Sequence, residues 1–351
     1  MGERGPIKDS KYFKDERDKF YLMRFFRKTT IDFIGKRRIW YFVSIFITSA
    51  GIIWALFRGV EYGIDFAGGT EVQLQFQKAV SIGAVRASLD KAGIHEAEVK
   101  YYGADASGVL IRVREGAQGA AAGTAATKHV LDAIAAGFPG DHAQLLQEQH
   151  IGPKIGGEQR ANAVWAVTFT CVVILIYLAF RFRFVYGLGA VIAIVHDVLV
   201  AFAFAVICNN LVPWLNLEMN STMLAAFLTI VGFSVNDTVI IFDRIREDQR
   251  KYKGQALKDI MNRAINETLP RTVITSGTVF LTLLVLFIWG GEVLRGFAFT
   301  MLIGVITGTY SSIFVASAIA FDWLERDKSK AAKSPVGARK ASATKQVPAT
   351  V

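Results

Sequence analysis

The sequence predicts an α-helical polytopic membrane protein with six spanning helices and one small α+β domain between the first and second. Three observations predict it. Six runs of mostly apolar residues reach the roughly 20 residues that a bilayer crossing needs. About 100 residues of mixed composition separate the first run from the other five. Lys and Arg crowd the short loops on one side only. The 351-residue chain is 52% hydrophobic, with a mean hydropathy of +0.34. Soluble chains sit near about 45–50% even with Gly counted. The net charge of +10 flanks apolar runs, so it marks topology and contact with membrane lipids. It argues against a nucleic-acid partner.

The domain order follows the runs. Residues 1–38 are a polar, charged N-terminal segment with no cleavable leader pattern. The first span covers 39–57. The α+β domain covers 58–160. The remaining spans cover 161–180, 185–207, 222–242, 272–289 and 297–321, all within 161–321. A basic tail of Ala, Ser, Lys and Pro fills 322–351 and cannot bury a core, so it reads as disordered. Within the domain, 71–76 (EVQLQF) alternates polar and apolar as a half-buried strand does. Residues 80–92 have helical spacing and stop at Gly93. Two short strands, 97–102 and 109–113, flank the turn-rich Gly103-Ala-Asp-Ala-Ser-Gly108. Residues 120–136 are Ala-rich and helix-prone, and 144–151 reads as a last strand. The order β-α-β-β-α-β is that of a ferredoxin-like unit.

Basic residues set the orientation. Arg24, Arg27, Lys28, Lys36, Arg37 and Arg38 precede the first span. Arg181 and Arg183 lie between the second and third, and a basic loop follows the fourth. The loop at 209–221 has no Lys or Arg, and that at 290–296 has only Arg295. Both termini are thus expected in the cytoplasm and the domain in the periplasm of an inner membrane.

Ionisable groups inside a span cost roughly 2.5–3.5 kcal/mol at the helix centre, so each needs a role. Asp237 lies six residues before Asp243, where the fourth apolar run gives way to charge. That places it roughly 9 Å inside the boundary. Asn236 sits beside it. Gly232, one turn back, offers close approach to another helix. Arg271, Thr275, Thr278 and Thr282 form one polar stripe at the start of the fifth span. An Asp237–Arg271 pair would favour the ionised carboxylate, and neutralising the acid would release the arginine. Gly304 and Gly308 repeat the small-residue spacing of close helix packing in the sixth span. His196 and Asp197 lie near mid-bilayer in the third, where a structural hydrogen bond and proton handling are equally open readings.

Other chemistry is not indicated. No G-x-x-x-x-G-K-[ST] loop is present, and Gly68-Gly69 has no helix and lysine behind it. Cys171 and Cys208 fall in apolar runs with no metal-ligand spacing. No cofactor, metal site or enzyme activity is expected. An aspartyl protease using Asp197 and Asp237 would need level carboxylates sharing a proton, whereas their depths differ by roughly 9 Å.

Several motifs resemble a known family. Asp32-Phe-Ile-Gly-Lys-Arg-Arg38 is similar to the entry motif of SecF proteins. Gly63-Ile-Asp-Phe-Ala-Gly-Gly-Thr70 is similar to a glycine motif shared by SecD and SecF. Ile151-Gly-Pro-Lys-Ile-Gly156 resembles the segment leading into the second span. Val231-Gly-Phe-Ser-Val-Asn-Asp-Thr-Val-Ile-Ile-Phe-Asp-Arg-Ile-Arg-Glu247 resembles the family's fourth-span motif. Asn266-Glu-Thr-Leu-Pro-Arg-Thr-Val-Ile-Thr-Ser-Gly277 resembles its fifth. The resemblance implies half of an RND-type transporter that pairs with SecD. It implies association with the SecYEG channel, with YajC and YidC as further partners. The pair would use the proton gradient to help move an exported unfolded polypeptide. It also implies proton coupling through Asp237 and Arg271. A half-size RND exporter of lipids or small molecules is the alternative reading.

Overall fold

The computed structural model describes residues 29–333 apart from 96, 103–105, 114–120, 183 and 213–214. The sequence readings on 1–28, on 103–105, on Arg183 and on 334–351 lie outside the described residues. Among the described residues, six helices are long and apolar enough to cross a membrane. A 3-10 turn (Ile34–Lys36) leads into α1 (Arg37–Arg58). A short α2 (Ile64–Ala67) precedes β1 (Gly69–Gln75), α3 (Ile82–Lys91), β2 (Ala97–Tyr101) and β3 (Gly108–Val113). Then come α4 (Ala121–Gly137) and β4 (Gln144–Ile151). The bundle continues with α5 (Pro153–Arg181), α6 (Phe184–Leu211), α7 (Ser221–Lys251), α8 (Leu257–Trp289) and α9 (Gly291–Ser311). A π turn at Ser312–Ala316 joins α9 to α10 (Ser317–Lys333).

Three boundaries differ from the sequence reading. Helix α7 continues to Lys251, past the apolar run, because its charged end keeps an amphipathic face with Ile245 and Asp248 buried. Helix α8 begins at Leu257, so Arg271 is mid-helix and not at an entry. Pro270 sits inside it, without the N–H that would bond one turn back. The sixth crossing continues through α10 to Lys333, so 322–333 are helical and not tail. Phe321 and Leu324 are buried there, and Asp322 accepts from Arg37 (2.7 Å) and Tyr41 (3.1 Å).

The sheet is antiparallel in the order β2-β3-β1-β4, as the β-α-β-β-α-β order requires. Alternation along β1 puts Val72 and Leu74 against Val85 and Leu89 of α3 and Val130 and Ile134 of α4. Gly68 and Gly69, at φ +75° and +122°, make the bend from α2 into β1. A side chain there would be strained.

The other sheet face meets the bundle. Glu71, Gln73 and Arg112 on it are buried, at 8%, 7% and 5% exposure. Arg112 donates to Glu218 (2.6 Å) of the α6–α7 loop and to Glu71 (2.8 Å). Burial works against both the Arg112 and Lys100 charges. Carboxylates led by Glu218 outweigh it and raise both groups above their ordinary pKa. Glu61, Glu98 and Glu218 converge as metal ligands would, but the Lys100 ammonium sits among them at 2.9, 2.8 and 2.6 Å. Removing one partner of a buried ion pair costs about 3–5 kcal/mol.

At the opposite end, 31–37 clasp the start of α8. Asn266 bonds both backbone groups of Ile31 (3.0 and 2.9 Å). Asn262 accepts from Ile34 N–H (3.0 Å) and donates to Asp32 (2.8 Å). Lys258 donates to Asp32 at 2.7 Å. Lys258 and the Gly35 N–H hold the Asp32 carboxyl down at about 2.

Two predictions follow from these contacts. A Cβ on Gly51 of α1 would overlap Ala203 Cβ of α6, while one on Gly83 meets nothing within 4 Å. Gly51→Ala should therefore lower the thermal midpoint in detergent, by about 1–3 kcal/mol of overpacking. Gly83→Ala should hold the midpoint or raise it. The Asp32 clasp contributes stability above the ordinary carboxylate range and loses it as pH falls through about 2. Amide exchange at Ile31 and Ile34 should stay slow at mildly acidic pH and quicken only under strong acid. Asp32→Asn should quicken it at neutral pH.

Candidate functional site

Helix α7 buries one face at helical spacing, running through Met223, Ile230, Ser234 and Asp237 to Ile241. Asp237 is 1% exposed. Its Oδ2 accepts from Ser276 Oγ of α8 at 3.3 Å. Ser276 Oγ in turn accepts from Thr309 Oγ1 of α9 at 2.7 Å. Asp237 Oδ1 is buried and has no hydrogen-bond partner among the described residues. Neither does Thr272 Oγ1, one turn before Ser276. The carboxylate is thus half satisfied, at the seam of three helices. An ionised carboxyl only accepts, and a protonated one has a donor of its own.

The predicted polar stripe faces elsewhere. Arg271, Thr278 and Thr282 lie exposed on the bundle surface, with Thr275 half-buried. The threonine hydroxyls donate to backbone carbonyls of their own helix: Thr275 to Arg271 (2.9 Å), Thr278 to Thr275 (2.8 Å) and Thr282 to Thr278 (3.0 Å). Arg271 makes no hydrogen bond or ion pair with Asp237 among the described residues. Asn236 and Gly232 are exposed on α7, and a Cβ on Gly232 would meet nothing within 4 Å. The close approach expected at Gly232 is not made within the described residues. With Thr229, these residues leave a polar and small-residue face open along α7 and α8.

Asp197 in α6 has the opposite character. It is fully buried, and its Oδ2 accepts from Ser234 Oγ of α7 and Ser311 Oγ of α9, both at 2.6 Å. Its Oδ1 lies 3.0 Å from His196 Nδ1. Three helices are pinned at this one carboxylate. Gly308 lies beside it, with its Cβ position 3.7 Å from Asp197 Oδ2, and one turn earlier Gly304 presses on Ile230. Asp197 and Asp237 have separate partners and share no hydrogen bond among the described residues, so the protease dyad has no geometric support. Ser234, Ser276 and Thr309 escaped the sequence reading, whereas Ser311 lies on the small-residue face that the sequence shows in the sixth span. Short hydroxyl side chains are frequent in spanning helices, and only the position of Ser234 three residues before Asp237 hinted at the seam.

Residues 132–326 match the family described as "Protein export membrane protein SecD/SecF, C-terminal", and residues 53–80 match the "SecD/SecF GG Motif". The protein translocase subunit SecF of Rhodothermus marinus is 38% identical over 86% of this chain and 95% of its own length. That of Gemmatimonas aurantiaca is 38% identical over 87% and 90%. The crystal structure of SecDF from Thermus thermophilus, a translocon-associated membrane protein, is 33% identical and covers 84% of this chain, with a TM-score of 0.73. SecDF in a super-membrane-facing form is also 33% identical, covering 87% with a TM-score of 0.63. This chain spans 39% and 40% of those two SecDF chains. With six crossings, the inserted antiparallel sheet and these matches, the chain belongs to the SecD/SecF family of protein export membrane proteins, on its SecF side.

Proposed function

We propose that this chain is the SecF-type half of a two-part export machine, working beside a SecD-type partner and driven by the proton gradient. The half-satisfied Asp237 carries the reading. It lies at the seam of α7 and α8, next to a face that presents Arg271, Asn236, Thr278 and Thr282 to the surface of a spanning bundle. Lipid tails offer such a face no hydrogen bonds, so a second helical unit should cover it. The solved SecDF chains are more than twice as long as this one, which leaves room for such a unit in a relative.

The chemistry needed is one proton. Ionised Asp237 accepts from Ser276 alone among the described residues and attracts the Arg271 charge without bonding it. Protonated, it becomes a donor and releases its hold on the Arg271 charge. That change alters what α7 and α8 present to the partner, which is the physical means of turning a gradient into movement. The reading places both termini in the cytoplasm and the sheet domain in the periplasm of the inner membrane. It expects association with SecYEG, and with YajC and YidC, and contact with an exported unfolded polypeptide. It assigns no enzymatic step and no cofactor.

Three outcomes test it. Asp237→Asn should insert normally and retain its partner, yet export should fall to the level seen without a gradient. Normal export at normal abundance would refute the proton role. Arg271→Lys should impair export, because an ammonium cannot reproduce the guanidinium fork. Unchanged export would leave Arg271 as an anchor only. Pulling down the chain in mild detergent should bring a SecD-like protein with it. Function without any such partner would favour a free-standing exporter of lipids or small molecules.

A further inference from the structure

The sheet domain is linked by the chain to α1 and to α5. The link from α1 is bare at its first residue: Gly59 has φ +79°, and a side chain there would meet nothing within 4 Å. The start of α7 has no direct chain connection to the domain, yet it is stitched to it at several points. Gly63 N–H donates to Met219 O (2.8 Å), and Met219 N–H donates to Glu61 O (2.9 Å), a parallel bridge of backbone. Asp65 accepts from Ser221 N–H at 2.8 Å and from Gln149 of β4 at 3.1 Å, so one carboxylate spans the helix start and the sheet edge. Arg112 of β3 and Lys100 of β2 both close on Glu218 at 2.6 Å. From the α6 side, Asn209 accepts from Leu217 N–H (2.8 Å) and donates to Glu61 (3.1 Å).

We infer that residues 215–221 and the polar face of the sheet are one rigid body, so that a displacement of α7 is carried to the domain through Arg112 and Glu218. Asp237 lies on the same helix, sixteen residues after the Ser221 at which α7 begins. Arg112 and Glu218 are positioning residues. They bond each other and not Asp237, and they set what the domain does when α7 shifts. Opening the junction would part the buried Glu218 carboxylate from both Arg112 and Lys100, so α7 and the sheet stay joined through the cycle. What sets α7 moving rests on the proton reading above. The strap itself does not.

The test joins the two sides covalently and separately cuts the ion pair. A Cβ on Gly63 lies 3.1 Å from Asn220 Cβ, close to the roughly 3.5–4.5 Å of a disulfide. Gly63→Cys/Asn220→Cys is made in a Cys171→Ser/Cys208→Ser background. Asn220→Cys alone serves as the control for loss of the cap that Asn220 gives Met223 N–H. Oxidising the pair should leave gradient-driven export at the reduced level. Arg112→Gln should drop export to the gradient-independent level with membrane abundance, partner pull-down and proton uptake unchanged. Adding the oxidised pair to Arg112→Gln should restore export. Glu218→Gln is the second cut, should Arg112→Gln fail to accumulate. The inference falls if oxidation blocks export reversibly, if both cuts export normally, or if the disulfide restores nothing. Normal export by Asp237→Asn would instead overturn the proton reading, with the rescue by the disulfide still measurable.

Discussion

A carboxylate inside a lipid-spanning bundle must find its donors among neighbouring helices, and Asp237 finds only part of a set. Ser276 supplies one bond at 3.3 Å, backed by Thr309, and the second oxygen has no partner among the described residues. Leaving a buried acceptor unmade costs about 1–3 kcal/mol, and more when it is charged. That cost has two outlets, uptake of a proton or a donor from a second unit. The polar face of α7 and α8 beside it suits both. The rest of the bundle follows the usual rule for packing in lipid, with small residues where helices touch, as at Gly51 on Ala203 and Gly304 on Ile230.

Asp197 shows what a satisfied acid looks like in the same bundle. Two serines and a histidine close on it from α6, α7 and α9. Such a site fixes helix positions and has little reason to change. The two aspartates sit on adjacent helices, and Ser234, which bonds Asp197, is one turn from Asp237. One acid anchors α7 against α6 and α9. The other lies on its seam with α8. The sheet domain is tied to the start of that same helix, so α7 carries Asp237 and bonds both Asp197 and the domain.

Much of this was legible in the sequence, and the rest was hidden for physical reasons. Length and apolar content locate a bilayer crossing, and alternation in EVQLQ locates a strand, so the six crossings and the sheet order were readable. The ends of α7, α8 and α10 were not. Hydropathy marks where lipid ends, whereas a helix continues as long as one face stays buried. Asp237 was legible because an acid in an apolar run is costly. Its hydrogen-bond donor was not legible, because the stripe of Arg271, Thr275, Thr278 and Thr282 is the conspicuous periodicity and Ser276 lies one residue off it. The junction at Arg112 and Glu218 was invisible. Both read as ordinary charges of a strand and a loop, and only the fold brings them within 2.6 Å.

The central claim is that Asp237 changes its charge state during work. Isotope-edited infrared spectroscopy of the chain with its partner in proteoliposomes reads that carboxyl directly, with Asp237→Asn to assign the band. The account predicts that a band for the protonated carboxyl rises and falls as a proton gradient is imposed and collapsed. A carboxyl held in one charge state under every condition would contradict it.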